Sequence, residues 1–591
     1  MLFGSLTVAL IALAAGAAVV GLLFMSDVND ARKSLDEAKY ELSTLSTQLA
    51  TGDEAAIAAT ADRITTDVAD AAAIVEGPLW QIAARVPFVG QNVDAVQRVT
   101  RAVDILVKQA LPPGTQVMAA IDFDKITVEG GGINLEPFRQ AQGAIPEISA
   151  AFTAAEAEVA PIDRTELLPE VVEPIDDILS IIQQAAPTLD VMNRYMPTLL
   201  DMAGSNGTKT YLVIFQNNAE IRATGGNPAA SMILTMTDGA LGYADQASSQ
   251  TFYEAGAAGN VYTALPEETT NLYLSGFTRY SQDYTMSPDF PTTAQLFQDV
   301  WAATSGAHFD GVISIDPTVL SHMLAVAGPA TLSSGEQVTA ENAVKLVLSD
   351  AYERYPNGAE SDAFFADVSK SVFNHLTSAQ WDPMAMLAAL EQSAKEQRVY
   401  LAFVDPAAQA LSTELGVDGA LPADLATQTQ VGMYMNDSSV GKLEYHLTST
   451  ITATCDVGAR TLTTTMTLHN GITDDIQSPY TLGYRNGGYG IPRTTMMLDV
   501  LTFAPPGASI VSTVPAVGEV SAWERTGTEK GSTAVSKTVF VAKDETVTVS
   551  STVAFPEGQL GPLYLRHTPT AHDTPVTIDP SCDALFGSTK G

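Results

Sequence analysis

The spacing of apolar residues divides the chain into segments of different period. Residues 2–25, LFGSLTVALIALAAGAAVVGLLFM, carry no charge, and the first ionisable side chain is Asp27. As a helix this run rises about 36 Å, enough to cross a hydrocarbon core, and it predicts a transmembrane anchor over 1–25. A cleaved signal peptide would need a basic n-region and a small-x-small cleavage site, and neither is clear. No Lys or Arg precedes the run, while Arg32 and Lys33 follow it. Orientation therefore stays open, as does a basic cytoplasmic tail upstream.

Beyond the anchor, Val28, Ala31, Leu35, Ala38, Leu42, Leu45 and Leu49 alternate at spacings of three and four, the seam of a coiled coil or helix hairpin. The seam continues through Ile57, Ala61, Ile64, Val68 and Val75 until Gly77 and Pro78 break it. Val93, Val96, Val99, Val103 and Leu106 restart a helix that Pro112 and Pro113 are expected to end. A strand or turn from Ile126 to Ile133 separates two more helical runs, near 135–160 and 172–203. Residues 26–203 thus read as a helical stalk, with homo-oligomerisation through the seam as a further expectation.

At Tyr211 the period changes. TYLVIF (210–215) is a continuous apolar run of the kind a buried strand shows, and it leads into QNNAEIRATGG (216–226), a polar stretch read as a loop. Strands at 231–241, 309–316 and 398–405 alternate with helices over 319–327, 341–355, 361–376 and 406–415. That alternation predicts a three-layer α/β domain over 204–422. From about 430 the alternation has period two, with Leu443, Tyr445, Leu447, Ser449, Ile451, Ala453 and Cys455 on one face, and Val547, Val549, Ser551, Val553 and Phe555 on another. This predicts an Ig-like antiparallel β-sandwich over 430–591. The predicted fold class is therefore multidomain α+β: transmembrane helix, helical stalk, three-layer α/β domain and β-sandwich.

Charge then narrows the function. Against 30 Lys+Arg stand 68 Asp+Glu, a formal −38. Phosphate neutralisation needs clustered cations, so nucleic acid is excluded as a general partner. The two cysteines, Cys455 and Cys582, lie in one predicted unit, and in an exported chain they are expected to pair and pin the C-terminal tail. No G-x-S-x-G elbow, H-E-x-x-H or Walker loop is present.

Ligands of α/β sheets gather where strands open into loops at their carboxyl ends, which singles out 216–226. Glu220 beside Arg222 forms a candidate anion or metal-ion platform, with Asn217 and Asn218 as binding groups. The alternative is a plain ion pair closing a loop.

YLVIFQNNAEIRATGG (211–226), SPDFPTTA (287–294), DGVISIDP (310–317), AVAGPATL (325–332), TAENAV (339–344) and SDAFFADV (361–368) resemble the bacterial family called domain of unknown function 4012, and GPLWQIAARVPFVGQN (77–92) resembles the region before it. The resemblance covers most of 77–500. It implies a membrane-anchored, extracytoplasmic protein of Gram-positive-type bacteria and carries no agreed activity.

The order of elements is also similar, more distantly, to the LytR-CpsA-Psr family. Those enzymes transfer glycopolymers from a polyprenyl-pyrophosphate carrier to peptidoglycan with Mg²⁺ and clamping arginines. That resemblance implies a phosphate clamp of Arg222, Arg279 and Arg354, with Glu220 and Asp283 as nearby acids and Asp362 in the following segment. Mg²⁺ would be held by Asp283, Asp289 or Glu220. Residues 201–422 depart from that pattern, with eight Lys+Arg against 25 Asp+Glu, a net −17.

The resulting expectation is a single-pass, extracytoplasmic cell-envelope protein whose α/β domain binds or transfers a lipid-linked glycopolymer. The alternative is a non-catalytic surface scaffold or adhesin, with an aromatic patch around Tyr480, Tyr484 and Tyr489.

Overall fold

A computed structural model describes residues 40–41, 44, 48, 54–85, 89–120, 132–259, 261–273, 276–355, 357–472, 476–483, 490–515 and 524–587. It contains mixed sheets and helices, and among the described residues no helix is long and apolar enough to cross a membrane. The transmembrane helix of the expected fold class is corrected accordingly and forms no part of the described fold. The run 2–25 lies outside the described residues, as do the first heptads of the seam and most of the expected strand at 126–133.

The chain divides into two units, one of 1–207 with 238–240, the other of 208–237 with 241–591. In the first, helices α1 (Glu54–Val75), α2 (Gly90–Ile105), α3 (Leu111–Ala120), α4 (Glu136–Val159) and α5 (Pro169–Met202) carry the period-3.6 pattern. Ile57, Ile64 and Val68 of α1, Val99 and Val103 of α2, Phe152 of α4 and Ile178 of α5 share one buried core. Pro112 and Pro113 do not end a helix. The chain passes from α2 through a π-turn at Leu106–Ala110 into α3, with both prolines in the first turn of α3. The turn widens there, with the N–H of Leu111 bonded back to the carbonyl of Leu106, and the helix runs on through two residues that lack an N–H.

The second unit opens with β1 (Lys209–Arg222), β2 (Gly225–Thr237) and β3 (Ala240–Ser248), followed by α6 (Ser249–Gly259) and α7 (Phe290–Ser305). β4 (Gly311–Ile315), α8 (Pro317–Ala327), α9 (Gly358–Ser378), α10 (Pro383–Lys395), β5 (Tyr400–Phe403) and α11 (Pro406–Glu414) complete this lobe. Its sheet has the order β3-β2-β1-β4-β5, parallel only between β1 and β4. Asp289, Asp316, Asp382 and Asp405 each cap the N-terminus of the helix that follows, so much of the acid has a local structural role.

Ten further strands form two five-stranded sheets. They are β6 (Thr429–Asp437), β7 (Leu447–Asp456), β8 (Thr461–Asn470), β9 (Met496–Ala504), β10 (Ser509–Pro515), β11 (Glu524–Glu529), β12 (Ser532–Val541), β13 (Thr546–Ala554), β14 (Leu563–His567) and β15 (Val576–Ile578). The inner sheet runs β11-β12-β9-β6-β14 and the outer β10-β13-β8-β7-β15. The sandwich is not wholly antiparallel, since β14 joins β6 and β15 joins β7 in parallel.

β6 and β9 are buried at every position. A sheet covered on one face would alternate, so both faces of this one are covered. One face meets the outer sheet through Met433, Met435, Leu498 and Val500. The other meets the α/β lobe, where Tyr434, Leu501 and Phe503 join Leu212, Ile214 and Phe297 in a single core. Cys455 and Cys582 form the disulfide expected from the sequence, tying β7 to the C-terminal turn.

Candidate functional site

β1 belongs to both lobes. Leu212 and Ile214 lie in the α/β core, whereas Ile221 lies in the core of the sandwich. The polar run that reads as a loop is therefore strand almost throughout. Pairing with β2 is resumed after register shifts between Phe215 and Asn217 and between Asn217 and Ile221. Polar residues in such a run imply solvent and hence a loop; here protein groups replace the water. The return to β2 needs glycine at 226, since a Cβ there would stand 2.0 Å from the carbonyl oxygen of Asn217.

Arg222 is 2% exposed. Its Nη2 donates to Glu220 Oε1 at 2.9 Å and to Asp283 Oδ1 at 3.0 Å, and its Nη1 donates to the carbonyl of Ile221 at 2.9 Å. The other oxygen of Glu220 accepts from Asn227 Nδ2 at 2.9 Å and from Lys442 Nζ. Lys442 is itself buried, with its Nζ 5.4 Å from the ring centre of Tyr480 and 5.9 Å from that of Tyr352.

Burial alone would raise the carboxyl of Glu220, but the charges of Lys442 and Arg222 outweigh it and hold the group down to about 2. Asp437 and Glu444 complete the cluster and behave oppositely. Burial raises Asp437, only partly offset by Arg222, while Ser439 N and Oγ each donate to it at 2.6 Å. Glu444 is fully buried, and neither carboxyl oxygen has a hydrogen-bond partner on another residue among those described. Burial and the neighbouring charge of Asp437 push it well above the ordinary carboxylate range, which favours its neutral form. Four carboxyl groups thus face two cations, and protonation of Glu444 reduces the imbalance.

The structure does not bring the three expected arginines together. Arg279 is exposed and lies over the rings of Tyr262 and Tyr280, at 5.8 and 5.7 Å, while its expected partner Asp283 is engaged by Arg222. Arg354 is exposed and paired with Glu336 at 2.8 Å. Asp362 stands exposed on α9.

Asn217 donates to the hydroxyl of Tyr352, and Asn218 donates to Asp316 at 3.2 Å and to the carbonyl of Pro569 at 3.1 Å. Asp289 caps α7 and accepts from the amide of Leu421 at 2.9 Å, apart from the carboxylates of the cluster. Among the described residues no group of three or more His, Cys, Asp or Glu is placed to hold a metal ion. Tyr480 is half-buried against Tyr352, and Tyr484 and Tyr489 lie outside the described residues.

Sequence reasoning missed Asp437, Lys442 and Glu444. Their one local sign is three charges within eight residues, from the last position of a strand into the segment that follows it. A second buried carboxyl was missed as well. Glu529 accepts from Ser287 Oγ at 2.6 Å and from the hydroxyl of Tyr273, and burial raises it to about 7. Its partner Tyr273 also lines a cavity of about 660 Å³, together with Thr270, Asn271, Phe277, Arg525 and Thr526. Its one cation, Arg525, is already neutralised by Asp499 at 2.5 Å.

Residues 206–352 match the family model described as Protein of unknown function (DUF4012), a span that runs from β1 past α8 of the α/β lobe. The likeness to LytR-CpsA-Psr transferases is not supported by a match. Neither the curated proteins nor the solved structures returned a match.

Proposed function

We propose that the chain is a non-catalytic binding scaffold of an oxidising, extracytoplasmic compartment, in which the α/β lobe and the sandwich work as one body. The observation that carries this reading is Arg222. A pyrophosphate clamp must aim free cations at the phosphates, because that transfer is mostly positioning and charge neutralisation. Arg222 is buried and hydrogen-bonded to Glu220 and Asp283, and Arg279 and Arg354 are engaged elsewhere. Its cluster instead spans elements of both lobes: Glu220 and Arg222 come from β1, Lys442 from the segment after β6.

The disulfide favours the oxidising compartment. The cavity beside Arg525 is lined by uncharged groups apart from that paired guanidinium, which suits binding of a polar ligand rather than phosphoryl chemistry.

The test is an Mg²⁺-supplemented incubation of the purified full chain with a polyprenyl-pyrophosphate saccharide and peptidoglycan. The expected result is no transfer and no release of pyrophosphate. Turnover that falls in Arg354→Ala, an exposed change that leaves the cores intact, would overturn the reading.

A further inference from the structure

The buried contact that joins the two lobes also has the parts of a bond-forming site. Glu220 Oε2 accepts from two nitrogens at once, Lys442 Nζ and Asn227 Nδ2, the second at 2.9 Å. Two nitrogens within hydrogen-bond reach of one oxygen stand no more than about 6 Å apart. One is a primary amine and the other belongs to a carboxamide, the two groups from which an amide crosslink forms. Glu220 comes from β1, Asn227 from β2 and Lys442 from the segment after β6.

All three side chains are buried, so water that would compete for the amide carbon is kept out. Lys442 is held from both ends. Its backbone N–H donates to the carbonyl of Thr481 at 2.8 Å, and its Nζ lies over the rings of Tyr352 and Tyr480. The flexible four-carbon stem between those ends leaves Nζ free to close on the Asn227 side chain.

A plain ion pair accounts for Glu220 and Lys442 but not for Asn227. Its Oδ1 is buried and has no hydrogen-bond partner among the described residues, an arrangement that costs stability. Turning the amide over does not help, because two oxygens would then face each other at Glu220. Lys442 and Glu220 both start ionised. Burial alone would lower the amine, but the charge of Glu220 outweighs it and raises the group. Moving the proton between them is therefore uphill, which a reaction that each molecule performs once tolerates.

We propose that Lys442 and Asn227 become joined by an amide bond, with Glu220 as the proton carrier. Nζ gives a proton to Glu220 Oε2, and the free amine so formed attacks Cγ of Asn227. Oε2 touches the leaving nitrogen as well as the attacking one, so it relays a second proton from Nζ to Nδ2. The Cγ–Nδ2 bond then breaks and ammonia departs. An ammonium, a carboxylate and a carboxamide become a secondary amide, a neutral acid and ammonia. Atoms and charge balance without a co-reactant, and two buried charges disappear. Neutral Glu220 is left with a proton to donate to the oxygen that lacked a partner. The bond ties β2 of the α/β lobe to the sandwich.

Peptide mapping of the reduced full chain, purified from cells, reads the bond directly. The expected product is a branched peptide that joins the Lys442 and Asn227 segments and is one ammonia lighter than their sum. Lys442→Arg keeps the charge beside Glu220 and is expected to yield no branch. Glu220→Gln removes the proton carrier and is expected to slow formation of the branch after refolding about a hundredfold. Two linear peptides from wild-type protein that unfolds cooperatively would overturn the proposal. So would a branch one water lighter, which joins Lys442 to Glu220 instead, and so would an undiminished branch in folded Glu220→Gln. The wild-type map decides even where a variant does not fold. Glycopolymer transfer in the separate assay would sink the scaffold reading and leave this map as it is.

Discussion

Replacement of Glu529 by Gln tests whether the buried acid bonded to Tyr273 is held protonated by the fold. The carboxyl is 2% exposed and accepts from Tyr273 and Ser287, and Asp289 is close enough to add repulsion. Burial raises it most, the two donors and Lys530 oppose, and the balance lies at about 7 against an ordinary 4.5. The folded state therefore keeps a proton that the unfolded chain has released. This contribution to stability is fully present below 4.5 and is lost as pH rises to about 7.

At about 1.4 kcal/mol per pH unit, that interval amounts to about 3 kcal/mol. Gln cannot ionise and retains an oxygen for one donor and an amide that a hydroxyl can accept from. Urea unfolding of wild type and Glu529→Gln, measured from pH 4.5 to 8, isolates the effect because other titrations cancel in the difference. The variant is expected to gain on the wild type steadily to pH 7 and then hold a constant lead. A difference that does not vary with pH would refute the reasoning.

Glu444→Gln is expected to stabilise the protein increasingly as pH rises above 4.5, because the native carboxyl is held well above that value by burial and by Asp437; denaturation midpoints at two pH values check it. Lys442→Met leaves Glu220 with one fewer cation inside the protein, an expected loss of about 3 kcal/mol or more, and combining it with Glu220→Gln should recover part of that in a double-mutant cycle. Cys455→Ser removes a bridge spanning 127 residues, expected to lower stability by about 5 kcal/mol on the chain-entropy account, and wild type treated with reductant should melt at a matching temperature. Gly226→Ala forces a Cβ against the carbonyl of Asn217 and is expected to cost several kcal/mol, read as a lowered melting temperature.

Periodicity alone located much of the described fold. The seam Ile57, Ala61, Ile64, Val68 and Val75 is buried as its spacing implies, and Val547, Val549 and Val553 face a core as alternation requires. The cysteine pair was legible for a similar reason, since two thiols in one unit leave one partner for each. The two periodic patterns are local signals, carried by residues a turn or a pleat apart.

Tertiary structure decided the rest. The polar side chains between Gln216 and Arg222 are satisfied from far along the chain, Glu220 by Lys442 and Asn218 by the carbonyl of Pro569, each more than two hundred residues away. A polar side chain reads as exposed until a partner is known, and no period links position 220 to position 442. The charge of −38 likewise says nothing of arrangement. Folding decides that Arg222 meets buried acids and that Arg354 meets one acid at the surface, because Coulomb energy depends on distance and burial rather than on composition.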